Sequence, residues 1–185
     1  AVGKHIMKAA AHNLTPVTLE LGGKSPVVVT PSANLAKTVN RVWTGKTMNA
    51  GQTCIAPDYV LMQADKKPAF IEQSTAWLDA HYPNLADNPD YSFVINAKQA
   101  SRVQGYLDEA KQRGATLIPL TDYEVNIETG FFPPMIVTDL PSDAKLLTEE
   151  IFAPVLPLVS YQDLAQAVAY VNERDRPLAL YVFGE

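Results

Sequence analysis

The feature that most constrains the fold is the alternation, along the chain, of short runs rich in β-branched residues with segments whose apolar residues have helical spacing. "PVVVT" at residues 26–30 and "DYVLMQ" at residues 58–63 are predicted strands, because they are rich in β-branched, aromatic and other apolar residues and flanked by turn formers. Between them, apolar residues recur at the spacing of an amphipathic helix over residues 35–43, with Ser32 or Asn34 placed to cap it. Further strands are predicted at residues 17–21, 115–120 and 178–183, and further helices around residues 6–10, 70–78, 100–110 and 164–171.

Apolar strands joined by amphipathic helices are typical of βαβ units. The chain is therefore predicted to be an α/β protein with a parallel-rich sheet flanked by helices. Residues 122–143 interrupt this rhythm with Pro, Gly and acidic residues and are predicted to form a loop plus an irregular strand. The apolar run at residues 178–183 is predicted to be a buried strand. No repeat or long linker divides the sequence, so we expect one domain over residues 1–185.

Composition excludes several classes of partner. The 185 residues carry a net charge of −5 and no cluster of Lys and Arg, so we do not expect nucleic acid or an anionic membrane as a partner. No apolar run approaches the roughly 20 residues of a membrane-spanning helix. A single cysteine cannot form an internal disulfide, so no oxidising compartment is needed and we expect a cytoplasmic protein.

That single cysteine, Cys54, lies in "NAGQTC" after a predicted helix. Gly51 allows the backbone to turn sharply, and backbone N–H groups at such a turn can hold an oxyanion. A cysteine on such a loop is a candidate nucleophile. Composition alone favours the alternative, an inert packed cysteine.

Glu20 is a carboxylate inside the apolar stretch "VTLEL". Thr18 and Glu20 alternate with apolar neighbours, so Glu20 either faces solvent or points into a cleft. In a cleft it would serve as a general base that activates water. Spacing alone leaves the two alternatives open.

Three motifs in a fixed order carry a resemblance to a known family. They are "LELGGKSP" at residues 19–26, "GQTC" at residues 51–54 and "EEIFAPVLP" at residues 149–157. These stretches are similar to motifs of the aldehyde dehydrogenase superfamily, as is the separation of 34 residues between Glu20 and Cys54. Three long motifs are far more specific than a lone short pattern. "CIAPDYVL" is similar to the branch that contains class-three, fatty-aldehyde and coniferyl-aldehyde dehydrogenases.

The resemblance implies a function and a set of site residues. It implies oxidation of an aldehyde, fatty or aromatic, to a carboxylic acid with NAD or NADP, through a thiohemiacetal and a thioester on the cysteine. Cys54 is the implied nucleophile and Glu20 the implied base. Four residues are implied cofactor contacts: Glu150 at the nicotinamide ribose, Phe152 beside the nicotinamide, and the backbone of Leu21 and Gly22. The implied partners are a small aldehyde and further copies of the chain, as a homo-oligomer.

Some features depart from the family pattern. Ala153 stands where the family usually has glycine, and "VGK" at the start resembles the end of the family's phosphate-contacting stretch. We therefore expect residues 1–185 to be the catalytic part of a longer enzyme. We expect this part to fold but not to oxidise aldehydes by itself. The alternatives are a CoA-acylating aldehyde dehydrogenase, against which Glu20 argues, and a binding module without turnover.

The remaining polar candidates are weaker. Arg102 is a minor candidate for a ribose contact and is otherwise expected to be a solvated helix residue. The three histidines, His5, His12 and His81, lack the spacing of metal ligands and are expected to have ordinary surface roles.

Overall fold

The fold is built on one six-stranded sheet, seen in a computed structural model that describes residues 2–184. The strand order is β3-β4-β5-β2-β1-β6, and every pair is parallel except β3 with β4. The strands are β1 (Ser25–Val29), β2 (Pro57–Met62), β3 (Thr116–Pro119), β4 (Met135–Thr138), β5 (Val155–Ser160) and β6 (Tyr181–Phe183). The helices are α1 (Val2–Ala11), α2 (Leu35–Thr47), α3 (Lys67–His81), α4 (Ala97–Gln112), α5 (Lys145–Thr148) and α6 (Leu164–Asn172), with 3₁₀ turns at Met48–Gly51, Ala64–Lys66 and Leu85–Asp87. The predicted α/β class with a parallel-rich sheet is confirmed.

Helices cover both faces of the sheet, because successive strand residues point to opposite sides. On one face, Val27 and Val60 pack with Trp43 of α2 and Phe70 of α3. The other face has two clusters, in which α6 packs on β1 and β2, and α4 packs on β4 and β5. Burial on both sides explains why β1, β2 and β4 are apolar runs without alternation.

Local signals predicted several elements well. α2 begins where the side chain of Asn34 accepts a hydrogen bond from the N–H of Lys37 at 3.0 Å, so Asn34, rather than Ser32, is the cap. Asn96 and Asp163 cap α4 and α6 in the same way. No helix within residues 2–184 is long and apolar enough to cross a bilayer.

Three strand predictions need correction. The strand predicted at residues 17–21 does not form; the segment is irregular and exposed except for half-buried Leu19, so its apolar side chains have no core surface to pack against. The last strand, β6, is an edge strand rather than a buried one, and Val182 on it is 61% exposed. Within the region predicted to be irregular, β4 is a regular and buried strand between β3 and β5.

Candidate active site

Three adjacent parallel strands bring the three sequence motifs to one edge of the sheet, the edge formed by the N-terminal ends of the strands. Glu20, Cys54 and Glu150 each lie a few residues before a strand, namely β1, β2 and β5. The order β5-β2-β1 makes these strands neighbours, spaced about 4.8 Å apart. Because the strands are parallel, the segments that enter them meet at the same edge, with the cysteine segment in the middle.

The loop before Cys54 is held in an uncommon backbone conformation. Asn49, Ala50 and Gly51 all have positive φ, at 51°, 54° and 72°. A side chain at Gly51 would place its Cβ 2.9 Å from the carbonyl oxygen of Ala153 and 3.0 Å from that of Lys46. Only glycine avoids both the strained φ and the close approach, which fixes this turn against the loop of residues 149–153.

Cys54 itself is exposed. Cys54 is therefore not packed in the core, and its role as a nucleophile remains a prediction. Next to it, the hydroxyl of Tyr181 on β6 donates a 2.6 Å hydrogen bond to the carbonyl of Ile55. Burial and the nearby thiol of Cys54 raise the pKa of Tyr181, which keeps the hydroxyl protonated as a donor.

Gln52 fastens the cysteine loop to the segment before α4. Its side-chain amide donates to the carbonyl of Phe93 at 3.1 Å and accepts from the N–H of Ile95 at 2.9 Å. The same amide group donates to the carbonyl of Asn49 at 2.9 Å. The glutamine of the "GQTC" motif therefore holds the loop that carries Cys54 in place.

Glu20 and Leu21 lie on the irregular segment before β1, and both are exposed. The side chain of Leu21 turns toward Gly3 of α1. Glu20 therefore has a carboxylate open to solvent at the edge of the sheet where Cys54 lies.

Glu150 is in direct contact with the glycine pair that follows Glu20. Its carboxylate accepts a 3.1 Å hydrogen bond from the N–H of Gly23. A Cβ at Gly22 would lie 2.3 Å from Oε2 of Glu150, so a side chain at this position would displace the carboxylate. Burial raises the pKa of Glu150, while the Gly23 N–H acts in the opposite direction.

Phe152 follows on the same loop with φ at 55°, in the left-handed region. Such a conformation costs a non-glycine residue about 1–2 kcal/mol and is maintained by its surroundings. The neighbouring Ala153, which stands where the resemblance expects glycine, is fully buried and lies outside that region. The methyl group of Ala153 is therefore accommodated without backbone strain.

Arg102 supports this loop from α4, so the expectation of a solvated helix residue is wrong. Its guanidinium donates to the carbonyls of Glu150 at 3.1 Å and Ile151 at 2.7 Å, and to the side chain of Gln99 at 2.8 Å. The guanidinium also lies 5.2 Å from the ring centroid of Tyr106. The half-buried position and these three partners make Arg102 a support for the Glu150 loop.

A cleft of about 780 Å³ opens between the cysteine loop and the Glu150 loop. We call it the Glu150 cleft. Its lining includes Gln52, Phe93, Gln99, Arg102, Glu150 and Phe152. The carboxylate, the aromatic ring and the volume together suit a flat, hydroxyl-bearing ligand of nucleotide size.

Sequence reasoning missed a buried charge cluster behind the site. Asp58, at the start of β2, pairs with Lys24 at 2.5 Å and with Lys46 at 3.7 Å. Burial lowers the pKa of Lys46 to about 8, although Asp58 partly offsets this. The signal was a carboxylate at the head of the apolar run "DYVLM", where a charge needs a partner.

The three histidines lie at the surface. His5, His12 and His81 are all exposed, and the ring of His81 stacks on Trp77 at 4.2 Å between centroids. Residues 2–184 contain no group of three potential metal ligands.

Comparison with known proteins assigns the family. Residues 1–185 match the aldehyde dehydrogenase family. A Pseudomonas aeruginosa protein named "Probable coniferyl aldehyde dehydrogenase" is 48% identical over 184 residues, covering 100% of this chain and 38% of that protein. Rat aldehyde dehydrogenase family 3 member A2 is 40% identical over 185 residues, covering 100% of this chain and 37% of that protein. The chain belongs to the aldehyde dehydrogenase family, on the branch that the sequence motifs indicated.

Solved structures agree on the fold. A substrate-bound Staphylococcus aureus AldH matches with a TM-score of 0.91 at 37% identity, over 100% of this chain and 39% of that one. A Mycobacterium tuberculosis aldehyde dehydrogenase complexed with NAD+ matches at 0.86 and 29% identity, over 99% of this chain and 38% of that one. A Bacillus halodurans glyceraldehyde-3-phosphate dehydrogenase complexed with NADP matches at 0.86 and 28% identity, over 100% and 38%. The chain thus spans about two fifths of the length of the proteins it matches.

Proposed function

We propose that the protein carrying this chain oxidises an aldehyde to a carboxylic acid with NAD+ or NADP+. The observation that carries the proposal is the meeting of three motif segments at one edge of the sheet, with an exposed Cys54 between Glu20 and Glu150. Residues 1–185 form the catalytic domain of this enzyme.

Cys54 is the proposed nucleophile. Its thiolate attacks the carbonyl carbon of the aldehyde, a C–S bond forms, and the carbonyl oxygen becomes an oxyanion. The backbone N–H of Cys54 donates to this oxyanion. The positive φ values at residues 49–51 and the hydrogen bonds of Gln52 support this role, because they hold the thiol in a fixed place on an exposed loop.

The residues of the Glu150 cleft suit a nicotinamide dinucleotide. The carboxylate of Glu150 is positioned by the Gly23 N–H and is suited to accept hydrogen bonds from ribose hydroxyls. Phe152 lines the same cleft and offers an aromatic surface. The proposed backbone contacts, Leu21 and Gly22, lie outside the lining of the cleft, and Gly22 lies against the Glu150 carboxylate. When bound, the nicotinamide accepts a hydride, which converts the thiohemiacetal carbon into a thioester. The relatives complexed with NAD+ and with NADP support either form.

Glu20 is the proposed general base for the second half of the reaction. Its carboxylate takes a proton from water, the resulting hydroxide attacks the thioester carbon, and the C–S bond breaks to return the Cys54 thiolate. The product leaves as a carboxylate. The exposed position of Glu20, four residues before Lys24 on the segment entering β1, supports its access to water.

We further propose a fatty or aromatic aldehyde as substrate; an aromatic aldehyde of the coniferyl type is supported by the name of the Pseudomonas aeruginosa relative. Exposed apolar residues on α1 and α6, such as Met7 and Val168, support a homo-oligomer in which these surfaces are covered. A nucleophilic thiol must stay reduced, which supports a cytoplasmic location.

The test is an assay of the complete protein that carries these residues. Long-chain, coniferyl-type and short aliphatic aldehydes are each offered with NAD+ and with NADP+, with and without coenzyme A, and the formation of reduced cofactor, free acid and acyl-CoA is followed. We expect turnover that is lost on Cys54→Ser. Absence of turnover with every aldehyde, or turnover that survives Cys54→Ser, contradicts the proposal, and release of acyl-CoA instead of free acid contradicts the hydrolytic role of Glu20.

A further inference from the structure

An ion pair joins the segments that carry the proposed base and the proposed nucleophile. Lys24 lies four residues after Glu20, and Asp58 lies four residues after Cys54. Their side chains meet at 2.5 Å with only 12% and 5% of their surfaces exposed. A pair so withdrawn from water is screened little by salt and fixes its two ends closely.

The same two side chains hold the backbone of the third segment. Lys24 Nζ also donates to the carbonyls of Leu146 and Glu149, both at 2.9 Å. The N–H of Ile151 donates to Oδ1 of Asp58 at 3.3 Å. The two groups on either side of Glu150 in the chain, Glu149 and Ile151, are therefore tied to one ion pair.

A second cation completes the cluster from α2. The side chain of Lys46 is fully buried, and its Nζ lies 3.7 Å from Oδ1 of Asp58. Within residues 2–184 that Nζ makes no hydrogen bond, so its charge is compensated through Asp58 alone at close range. The backbone carbonyl of Lys46 faces Gly51, which connects the cluster to the cysteine turn.

We propose that Lys24 and Asp58 are positioning residues, whose buried ion pair sets the Glu150 loop against the segments of Glu20 and Cys54. The pair touches neither the aldehyde nor the reacting atoms. Lys24 and Asp58 act through the loop of residues 149–151. They set the position of Glu150 and Phe152, and through it the affinity for the cofactor. The inference rests on the proposed function, since it assigns these side chains to the site of that reaction.

The experiment compares Lys24→Met, Asp58→Asn and the double variant in the complete protein. We expect each single variant to raise the dissociation constant of NAD(P)+, measured by titration calorimetry, at least tenfold. We expect amide hydrogen exchange in residues 145–153 to become at least tenfold faster, while residues 116–119 of β3 stay unchanged. The loss in the double variant should be smaller than the sum of the two single losses, because both substitutions break the same ion pair, although each side chain also holds backbone partners of its own.

Two controls separate positioning from general damage. Arg113→Met breaks an exposed ion network with Glu109 and Asp143 and should leave cofactor binding unchanged. Lys24→Arg keeps the charge and should recover most of the affinity lost in Lys24→Met. If Asp58→Asn does not fold, the comparison of Lys24→Arg with Lys24→Met still tests the positioning role.

The outcomes distinguish the two proposals. Unchanged exchange in residues 145–153, unchanged cofactor affinity, or additive losses in the double variant overturn the positioning role. A wild-type protein that neither binds NAD(P)+ nor oxidises any aldehyde contradicts the proposed function. In that case, faster amide hydrogen exchange in residues 145–153 of the variants still supports the conclusion that the ion pair holds this loop in place.

Discussion

Replacing Gly22 by alanine tests the contact between the glycine pair and Glu150. The new Cβ would lie 2.3 Å from Oε2 and 2.6 Å from Cδ of Glu150, far inside van der Waals contact. The carboxylate must move by about 1 Å and loses its hydrogen bond to the Gly23 N–H. The displaced carboxylate also loses its proposed hydrogen bond to the cofactor ribose. A hydrogen bond to a charged group contributes about 1.5–3 kcal/mol, which corresponds to about a 10- to 100-fold change in a binding constant.

We therefore expect Gly22→Ala to raise the dissociation constant of NAD(P)+ by about 10- to 100-fold. The free energy of unfolding should fall as well, by up to about 1.5–3 kcal/mol, because the lost hydrogen bond between Gly23 and Glu150 lies within the folded protein. The measurement is titration calorimetry on the complete protein, with thermal unfolding alongside. Gly105→Ala is the matched control: among the described residues nothing lies within 4 Å of its added methyl group, so affinity should be unchanged. A Gly22→Ala protein that binds the cofactor within twofold of wild type would refute the assignment of Glu150.

Two further substitutions test the loop and the charge cluster. Gly51→Ala forces a side chain to a φ of 72° and against two backbone carbonyls, so we expect the free energy of unfolding to fall by at least about 1–2 kcal/mol; an unchanged urea midpoint would contradict this. Lys46 has a pKa of about 8 in the folded protein and an ordinary value of 10.5. The unfolded state therefore binds more protons between these values, and stability should rise with pH from about 8 to 10.5, by about 3 kcal/mol in all. Lys46→Met should abolish this rise. If the difference in the free energy of unfolding between the wild type and Lys46→Met does not change over this pH range, the buried ammonium is not the cause.

Features encoded within a few residues were predictable from the sequence. The spacing over α2 predicted that helix and left Ser32 or Asn34 as its cap, and the structure identifies Asn34. Residues 17–21 show the limit of such reasoning, because alternation predicts a strand only where its apolar side chains have a core surface to pack on. Here the segment is irregular and almost entirely exposed.

The sequence predicted which residues belong to the candidate site, but it did not predict the contacts between them. The motifs identified Glu150 and Gly22, yet Glu150 meets the N–H of Gly23 across 127 positions of sequence, which no local pattern encodes. Asp58 shows a partial signal: a carboxylate heading an apolar strand requires a partner. The identity of that partner, Lys24, follows only from the adjacency of β1 and β2. Arg102 was misjudged for the same reason, since its carbonyl partners lie 48 and 49 residues away.

The most direct test of the account is the chemical state of Cys54 during turnover. The complete protein with Glu20→Gln is mixed with aldehyde and NAD(P)+, quenched in acid, digested and examined by mass spectrometry. If Glu20 activates the water that releases the product, the peptide containing Cys54 carries the acyl group as a thioester, and Cys54→Ala carries none. A Glu20→Gln protein that turns over at the wild-type rate with an unmodified Cys54 would contradict the account.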